Sequence, residues 1–196
     1  MHPPPCGGGL LYNRGMDKAT LAGGCFWCTE AMFKRLKGVN TVLPGYSGGT
    51  VEHPTYEQVS AGDTGHAEAI QITFDSRVLP YKKLLELFFH LHDPTTINRQ
   101  GNDNGPQYRS VIFYHNVKQR QEAEALKEHL DTVRLYRNPI VTEILPFTAF
   151  YPAEDYHKNY YEKNSYQPYC QYMIDPKLQK LLKDYKEDLK PEYQRV

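Results

Sequence analysis

Apolar and polar positions along the chain follow two different periods. Short apolar runs and runs with an apolar residue at every second position predict strands, whereas apolar residues three or four positions apart predict helices. The strand pattern occurs over residues 19–22, 39–46, 67–74, 108–114 and 140–145. The helix pattern occurs over residues 25–37, 80–91, 117–135 and 176–189. The order β-α-β-β-α-β-α-β predicts an α+β fold, an α/β sandwich with helices packed on a mixed sheet.

Two segments show neither period. Residues 1–17 are rich in Pro and Gly and lack the basic start and continuous apolar stretch of a secretory signal. We expect them to form a flexible leader, in which Cys6 is incidental, and we expect residues 18–196 to form one folded catalytic domain. A long, irregular, Tyr-rich segment is predicted before the last helix.

Composition narrows the class of protein. The 196 residues suit one domain with a sizeable core. Because 23 basic and 23 acidic residues cancel, the chain lacks the basic excess that nucleic-acid binding needs. The mean hydropathy of −0.66 and the lack of an apolar run of roughly 18 residues predict no membrane span. Four Cys are too few for a disulfide scaffold, so we expect a cytoplasmic protein in which thiol chemistry or metal binding is possible.

The strongest local signal is a cysteine pair directly after the first strand, in the run Gly-Gly-Cys-Phe-Trp-Cys at 23–28. The glycines allow a tight turn, so Cys25 opens the next helix, where N–H groups and the helix dipole would lower its pKa and make it nucleophilic. Cys28 lies one turn later and can resolve an oxidised Cys25. Two other interpretations remain: Cys28 is a small buried residue, or the pair is half of a zinc site without a second ligand pair.

The strand predicted over 67–74 carries a carboxyl in an apolar row. Side chains alternate along a strand, so Glu68 shares a face with Ile70, Ile72 and Phe74. Desolvation would raise its pKa and keep it protonated, and a neutral acid beside a reactive thiol can act as a general acid. Alternatively, the strand end reaches the surface and Glu68 is solvated.

Residues 98–109 form a loop that is dense in hydrogen-bonding side chains just before a strand. Long polar loops often carry functional groups, which favours a site here. The alternative is an ordinary polar turn in which Gly and Pro only interrupt the chain. Tyr56 is less informative by itself, because Tyr is abundant in this chain and usually packs.

Five blocks of the chain together resemble the methionine sulfoxide reductase A family. They are GCFWCTE at 24–30, GYSGG at 45–49, PTYEQVSAGDTGHAEAIQITFD at 54–75, HDPTTINRQGNDNGPQYRSVIFYH at 92–115 and KNYYEKNSYQPYC at 158–170. They stand in the family's order and cover about residues 18–175. The resemblance implies a ferredoxin-like α/β sandwich and thiol-dependent reduction of the S epimer of methionine sulfoxide, free or in oxidised proteins.

The resemblance also implies roles at matching positions. Cys25 corresponds to the nucleophile that attacks the sulfoxide sulfur, and Glu68 to the acid that protonates the sulfoxide oxygen. Tyr56 and Tyr108 correspond to hydroxyls that hold this oxygen, and Asp103 to a carboxylate that shapes and hydrates the site.

On the apolar side, Phe26 and Trp27 correspond to the pocket for the S-methyl group. The resemblance implies a monomer that needs no metal or organic cofactor. It also implies that Cys25 forms a sulfenic acid, that a disulfide follows, and that thioredoxin reduces this disulfide. Relatives often carry a recycling Cys before GDTGHAE or in a Gly-rich tail, whereas this chain has Ser60 and a Lys-rich helix there. The recycling thiol is therefore Cys28, Cys170 or none. Cys28 is favoured because it lies near Cys25 on the first helical turn and needs no large movement, and Cys170 is the second choice.

Two rival functions follow from the cysteine pair alone. One is a thioredoxin-like disulfide oxidoreductase that uses Cys25 and Cys28, although the expected β-α-β context with Trp before the first Cys is missing. The other is a non-enzymatic module that binds structural zinc or methionine sulfoxide. A metal analysis and a methionine sulfoxide assay with dithiothreitol distinguish all three.

Overall fold

The computed structural model of the chain describes residues 16–194. The predicted leader lies outside the described residues, together with Cys6, except for its last two positions. The first strand begins at Met16 rather than at Ala19, because Met16 pairs with Asp75 of the third strand.

Eight strands and six α-helices occur within the described residues. The strands are β1 (Met16–Gly23), β2 (Val39–Ser47), β3 (Ala67–Asp75), β4 (Arg99–Gln100), β5 (Asp103–Asn104), β6 (Ser110–Tyr114), β7 (Glu143–Pro146) and β8 (Phe150–Pro152). The α-helices are α1 (Phe26–Phe33), α2 (Tyr56–Ala61), α3 (Tyr81–Leu91), α4 (Val117–Thr132), α5 (Tyr160–Asn164) and α6 (Asp175–Tyr185). No helix in this part of the chain is long and apolar enough to cross a membrane.

Six strands form one mixed sheet in the order β7-β6-β1-β3-β2-β8. The four central strands pair antiparallel and are connected as β-α-β-β-α-β, so β1 and β2 are separated by β3. This is the ferredoxin-like arrangement, and the prediction of that fold is confirmed. β7 adds parallel to β6, and β8 adds antiparallel to β2, which gives the sheet its mixed character.

The main core lies between the helices and one face of the sheet. Ile70, Ile72 and Phe74 of β3 point into it and are fully buried, as their alternation predicts. The opposite face holds a smaller cluster that includes Ala67 and Ala69. Glu68 therefore lies on the helix-covered face.

Helix ends differ most from the sequence-based prediction. α1 ends at Phe33 rather than at residue 37, because the chain must turn toward β2, which it does with Gly38 at φ +78°. α2 was not predicted, although Thr55 and Gln58 form a reciprocal capping box at its start. The Tyr-rich segment is less irregular than expected, since it contains β8, α5 and a π-helical turn at Cys170–Ile174.

Candidate active site

The turn between β1 and α1 places Cys25 at the start of a helix. Gly24 has φ +89°, and a Cβ atom there would lie 2.5 Å from Cγ of Gln100, so the close approach requires glycine. Cys25 is the N-cap of α1, and its carbonyl accepts the N–H groups of Cys28 at 3.1 Å and Thr29 at 3.3 Å. The turn thus fixes the backbone beneath the thiol, whose residue is only 6% exposed.

The pKa of Cys25 is shifted in the direction opposite to the prediction. Burial raises the pKa of Cys25 well above its usual value, and the hydrogen bond with Cys28 and the charge of Glu68 act in the same direction. The hydrogen bond from Cys25 lowers the pKa of Cys28 to about 6 against its burial, with help from Lys177 of α6. The predicted low pKa of Cys25 is therefore wrong for this state. Desolvation outweighs the effect of the helix N-terminus on Cys25, and the two thiols titrate as a pair.

Glu68 is a buried carboxyl next to Cys25. It is 2% exposed, and its Oε2 accepts the backbone N–H of Phe26, the residue after Cys25, at 2.9 Å. Burial raises its pKa to about 8, although the N–H of Phe26 favours the charged form. The expectation of a desolvated carboxyl with a raised pKa on the apolar face is confirmed, and the solvated alternative is wrong.

Two tyrosines face the volume between Glu68 and Cys25. Burial raises the pKa of Tyr56 and of Tyr108, and the charges of Glu68 and Cys25 raise both further. The ring of Tyr56 lies 6.5 Å from that of Phe26, and Tyr108 packs against the cluster that contains Cys25. Both hydroxyls stay protonated at neutral pH and can donate hydrogen bonds.

Asp103 comes from the loop that the sequence analysis singled out. It belongs to β5, which pairs with β4 in a small separate sheet, and the hydroxyl of Tyr169 donates to its Oδ2 at 3.0 Å. Burial raises the pKa of Asp103, whereas Tyr169 and Lys177 lower it. The polar loop therefore places a carboxyl group beside Tyr169, whose hydroxyl also lies near Cys28.

Aromatic rings form the other side of the site. The indole of Trp27 stacks on Tyr160, with ring centroids 3.7 Å apart and an angle of 6° between the planes. Its Nε1–H donates to Nδ1 of His157 at 2.9 Å. Phe26 is fully buried beneath this wall, and its ring lies 4.9 Å from that of His157.

The C-terminal segment closes the site, which the sequence did not predict. Tyr169 lies 3.9 Å from Sγ of Cys28 while it bonds Asp103, and Cys170 is fully buried in the same cluster as Cys25 and Cys28. Lys177 of α6 lies near this cluster, where its charge lowers the pKa of Cys28. The only signal in the sequence was the thiol of Cys170 within a Tyr-rich run.

The structure thus brings all predicted site residues together. They are Cys25, Phe26, Trp27, Cys28, Tyr56, Glu68, Asp103, Tyr108 and Cys170. The sequence missed Glu154, His157, Tyr160, Tyr169 and Lys177, which contact them. A surface groove of about 670 Å³ between α4 and β7 contains none of these residues, so groove size alone would misplace the site.

Comparison with known proteins gives one consistent result. A family model described as peptide methionine sulfoxide reductase matches residues 17–190. The peptide methionine sulfoxide reductase MsrA of Saccharolobus solfataricus is 54% identical over 175 residues, which cover 89% of this chain and 98% of that protein.

Solved structures agree with the sequence comparison. Mxr1 from Saccharomyces cerevisiae in reduced form matches with a TM-score of 0.73 at 36% identity, over 80% of this chain and 90% of that chain. Mxr1 in complex with Trx2 matches with a TM-score of 0.52 at 28% identity, over 74% of this chain and 85% of that chain.

Proposed function

The chain belongs to the peptide methionine sulfoxide reductase A family, and from this premise we propose how its own residues carry out the reaction. The enzyme reduces methionine S-sulfoxide to methionine with thiols as the source of electrons. The observation that carries the assignment of roles is the position of Glu68, a buried carboxyl held 2.9 Å from the N–H of Phe26 beside Cys25. The thioredoxin-like alternative is not favoured by any of the comparisons.

The bound sulfoxide group contacts two sides of the site, an apolar side and a side of hydrogen-bond donors. The S-methyl group lies against the indole of Trp27, above Phe26, because a methyl group gains from leaving water. The sulfoxide oxygen lies toward Glu68, Tyr56 and Tyr108, which offer three O–H donors. This division supports selection of one epimer, since exchanging oxygen and methyl would place each against the wrong wall.

Reduction begins when Cys25 attacks the sulfoxide sulfur. The pKa of Cys28 is lowered by its hydrogen bond with Cys25, so a Cys28 thiolate accepts the proton of Cys25 as the attack begins. Glu68 gives its proton to the sulfoxide oxygen, which moves to the sulfur of Cys25 as a hydroxyl group. Methionine leaves, Cys25 becomes a sulfenic acid, and Glu68 is left ionised.

Recycling follows by disulfide formation. The sulfur of Cys28 attacks the sulfenic sulfur of Cys25, the hydroxyl leaves with the proton of Cys28 as water, and a disulfide forms. One sulfoxide and two thiols thus give one thioether, one disulfide and one water. The contact between the two sulfurs favours Cys28 as the resolving thiol, and the shared cluster makes Cys170 the second choice.

Thioredoxin is the proposed external reductant. Mxr1, a structural relative, has been solved with Trx2, which supports a similar partner for this chain. Thiol exchange would transfer the disulfide to a thioredoxin dithiol. Since Cys25, Cys28 and Cys170 are all free thiols, we also propose the cytoplasm as the location, to be checked by cell fractionation.

The first experiment measures methionine formed from methionine S-sulfoxide, with dithiothreitol or with thioredoxin and its reductase. The wild-type protein should turn over with both reductants, and Cys25→Ser should give none with either. The R epimer serves as the matched control substrate. Equal turnover of the two epimers would contradict the proposed division of the pocket.

The second experiment assigns the resolving thiol. Cys28→Ser should form about one methionine per protein, more slowly than wild type because it lacks the acceptor for the proton of Cys25, and should not cycle with thioredoxin. Cys170→Ser is the matched control and should cycle nearly as well as wild type. If Cys170→Ser stopped cycling and Cys28→Ser did not, Cys170 would be the resolving thiol.

A further inference from the structure

Trp27 contacts His157, a residue to which no role has been assigned above. His157 lies on a 3-10 turn at Asp155–His157 and is 1% exposed. Its Nδ1 receives the indole N–H of Trp27 at 2.9 Å, and its ring packs on those of Phe26 at 4.9 Å and Tyr56 at 4.6 Å. His157 therefore contacts both walls of the pocket.

The hydrogen bond fixes the protonation of the imidazole. An indole N–H can only donate, so Nδ1 must be bare and the ring must carry its proton on Nε2. Nε2 has no hydrogen-bond partner within residues 16–194, and the nearest carboxylate oxygen, Oε2 of Glu154, is 3.7 Å away. The Nδ1 bond to Trp27 is thus the one hydrogen bond that the described residues give this ring.

Glu154 connects the same unit to the oxygen side of the site. Its Oε1 accepts the backbone N–H of Tyr56 at 2.9 Å, and its Oε2 accepts the hydroxyl of Tyr46 at 2.9 Å. The residues that hold Trp27 and Tyr56 therefore belong to one short turn, which sets the distance between the methyl wall and the oxygen donors.

We propose that His157 is a positioning residue that holds the indole of Trp27 as the wall of the S-methyl pocket and thereby sets the fit for a methyl group. The inference rests on the proposed role of Trp27 in substrate binding. Stacking on Tyr160 fixes the plane of the indole but leaves the direction of its N–H within that plane less restricted. The bond from Nε1 to His157 removes that freedom, because a hydrogen bond prescribes both distance and direction.

The charge state of His157 gives this positioning a dependence on pH. Burial lowers the pKa of His157, whereas the carboxylates of Glu154 and Glu57 favour its cation. Of the other titratable groups around it, Tyr56 and Tyr156 stay neutral, and the ammonium of Lys158 bonds Asp155 at 2.6 Å. When His157 is protonated, Nδ1 becomes a donor and can no longer accept the indole N–H, so Trp27 is released at low pH.

The first arm of the test uses fluorescence and needs no turnover. Trp27 is the only Trp in the chain, so all indole emission reports on this contact. Wild-type emission should change in one step with a midpoint below about pH 6.5, the ordinary pKa of His. His157→Asn, which can place an amide oxygen where Nδ1 stands, should show no such step. A step of equal size in His157→Asn would overturn the inference.

The second arm uses single-turnover reduction. His157→Phe keeps a ring but loses the acceptor, and it should raise the half-saturating sulfoxide concentration about fivefold to tenfold, the loss expected for one hydrogen bond. The limiting rate should fall by a smaller factor. His157→Asn should restore much of the affinity, and equal half-saturation in both variants and wild type would refute the positioning role.

Fit for the methyl group is tested with ethionine sulfoxide, whose S-ethyl group is one methylene larger. His157→Phe should lose part of the wild-type preference for methyl over ethyl, whereas a merely destabilised protein would lose activity on both substrates alike. Circular dichroism confirms that each variant is folded. If wild type failed to reduce any sulfoxide, the proposed function would fail, while the fluorescence arm would still decide the link between His157 and Trp27.

Discussion

Glu68 keeps its proton because the helix-covered face of the sheet takes its carboxyl out of water. The same burial raises the pKa of Cys25, whereas the hydrogen bond from Cys25 lowers the pKa of Cys28. This distribution suits a reaction in which a polar but neutral sulfoxide has to enter a site with little water.

Replacing Glu68 by Gln tests the general acid. Gln keeps an oxygen to accept the N–H of Phe26 but cannot release a proton, so the reductive step should slow by about a hundredfold or more. The wild-type rate should fall above about pH 8, where Glu68 ionises, and the variant rate should lack this fall. Single-turnover rates between pH 6 and 9.5 measure both effects, and an unchanged rate and profile would exclude Glu68 as the acid.

At the scale of the elements, α1 anchors the segment that closes the site. Both carboxylate oxygens of Glu30 accept the backbone N–H of Asn159, at 2.9 and 3.0 Å, just before α5. Lys34 and Arg35 pair with Glu162 of α5 at 3.2 and 3.1 Å. The helix that carries the thiols therefore also holds the segment that covers them.

Glu30→Ala should loosen this anchor. Because the buried carboxylate of Glu30 and its hydrogen bond to the N–H of Asn159 are lost, the free energy of unfolding should fall by about 1–3 kcal/mol. Amide hydrogen exchange should become faster chiefly in residues 157–175. Glu162→Ala removes the more exposed ion pairs and is the matched control, with an expected loss below about 1 kcal/mol. Equal effects of the two variants, or faster exchange throughout the chain, would argue against an anchor at Glu30.

The elements also show where sequence reasoning succeeds. The two faces of β3 follow directly from alternation, which placed Glu68 correctly. The C-terminal end of α1 was less predictable, because the path of the chain toward β2 sets it and the helix propensity of the residues does not. α2 was missed although Thr55 and Gln58 are its capping signature, since only six residues lie between its ends and show no clear period.

For the whole molecule, the order of elements predicted the ferredoxin-like core, but contacts across the chain could not be predicted. Tyr169 and Cys28 lie 141 positions apart, and Trp27 and His157 lie 130 positions apart. No local period encodes such pairs, so the residues that close the site escaped the sequence analysis apart from Cys170. The prediction of a low pKa for Cys25 was wrong for the same reason, because the burial of Cys25 depends on those distant residues.

Glu68 also links the stability of the whole fold to pH. Its pKa is about 8 when folded and near 4.3 in an unfolded chain, so between these values the folded state binds more protons. This contribution is fully present below the lower value and declines as pH rises, by up to about 1.4 kcal/mol per pH unit. Glu68→Gln should remove this decline, which urea unfolding of both proteins at pH 5, 6, 7 and 8 would measure. Parallel curves would show that Glu68 is ionised in the fold at neutral pH.

The cover over the thiols has a consequence for survival under oxidants. Peroxides that oxidise methionine also oxidise thiolates, and a sulfenic acid that meets more peroxide passes irreversibly to sulfinic acid. Cys25 is only 6% exposed, and Cys28 is fully buried. The resting enzyme is therefore shielded from the reagent whose damage it reverses, and it can remain in service while oxidant is still present.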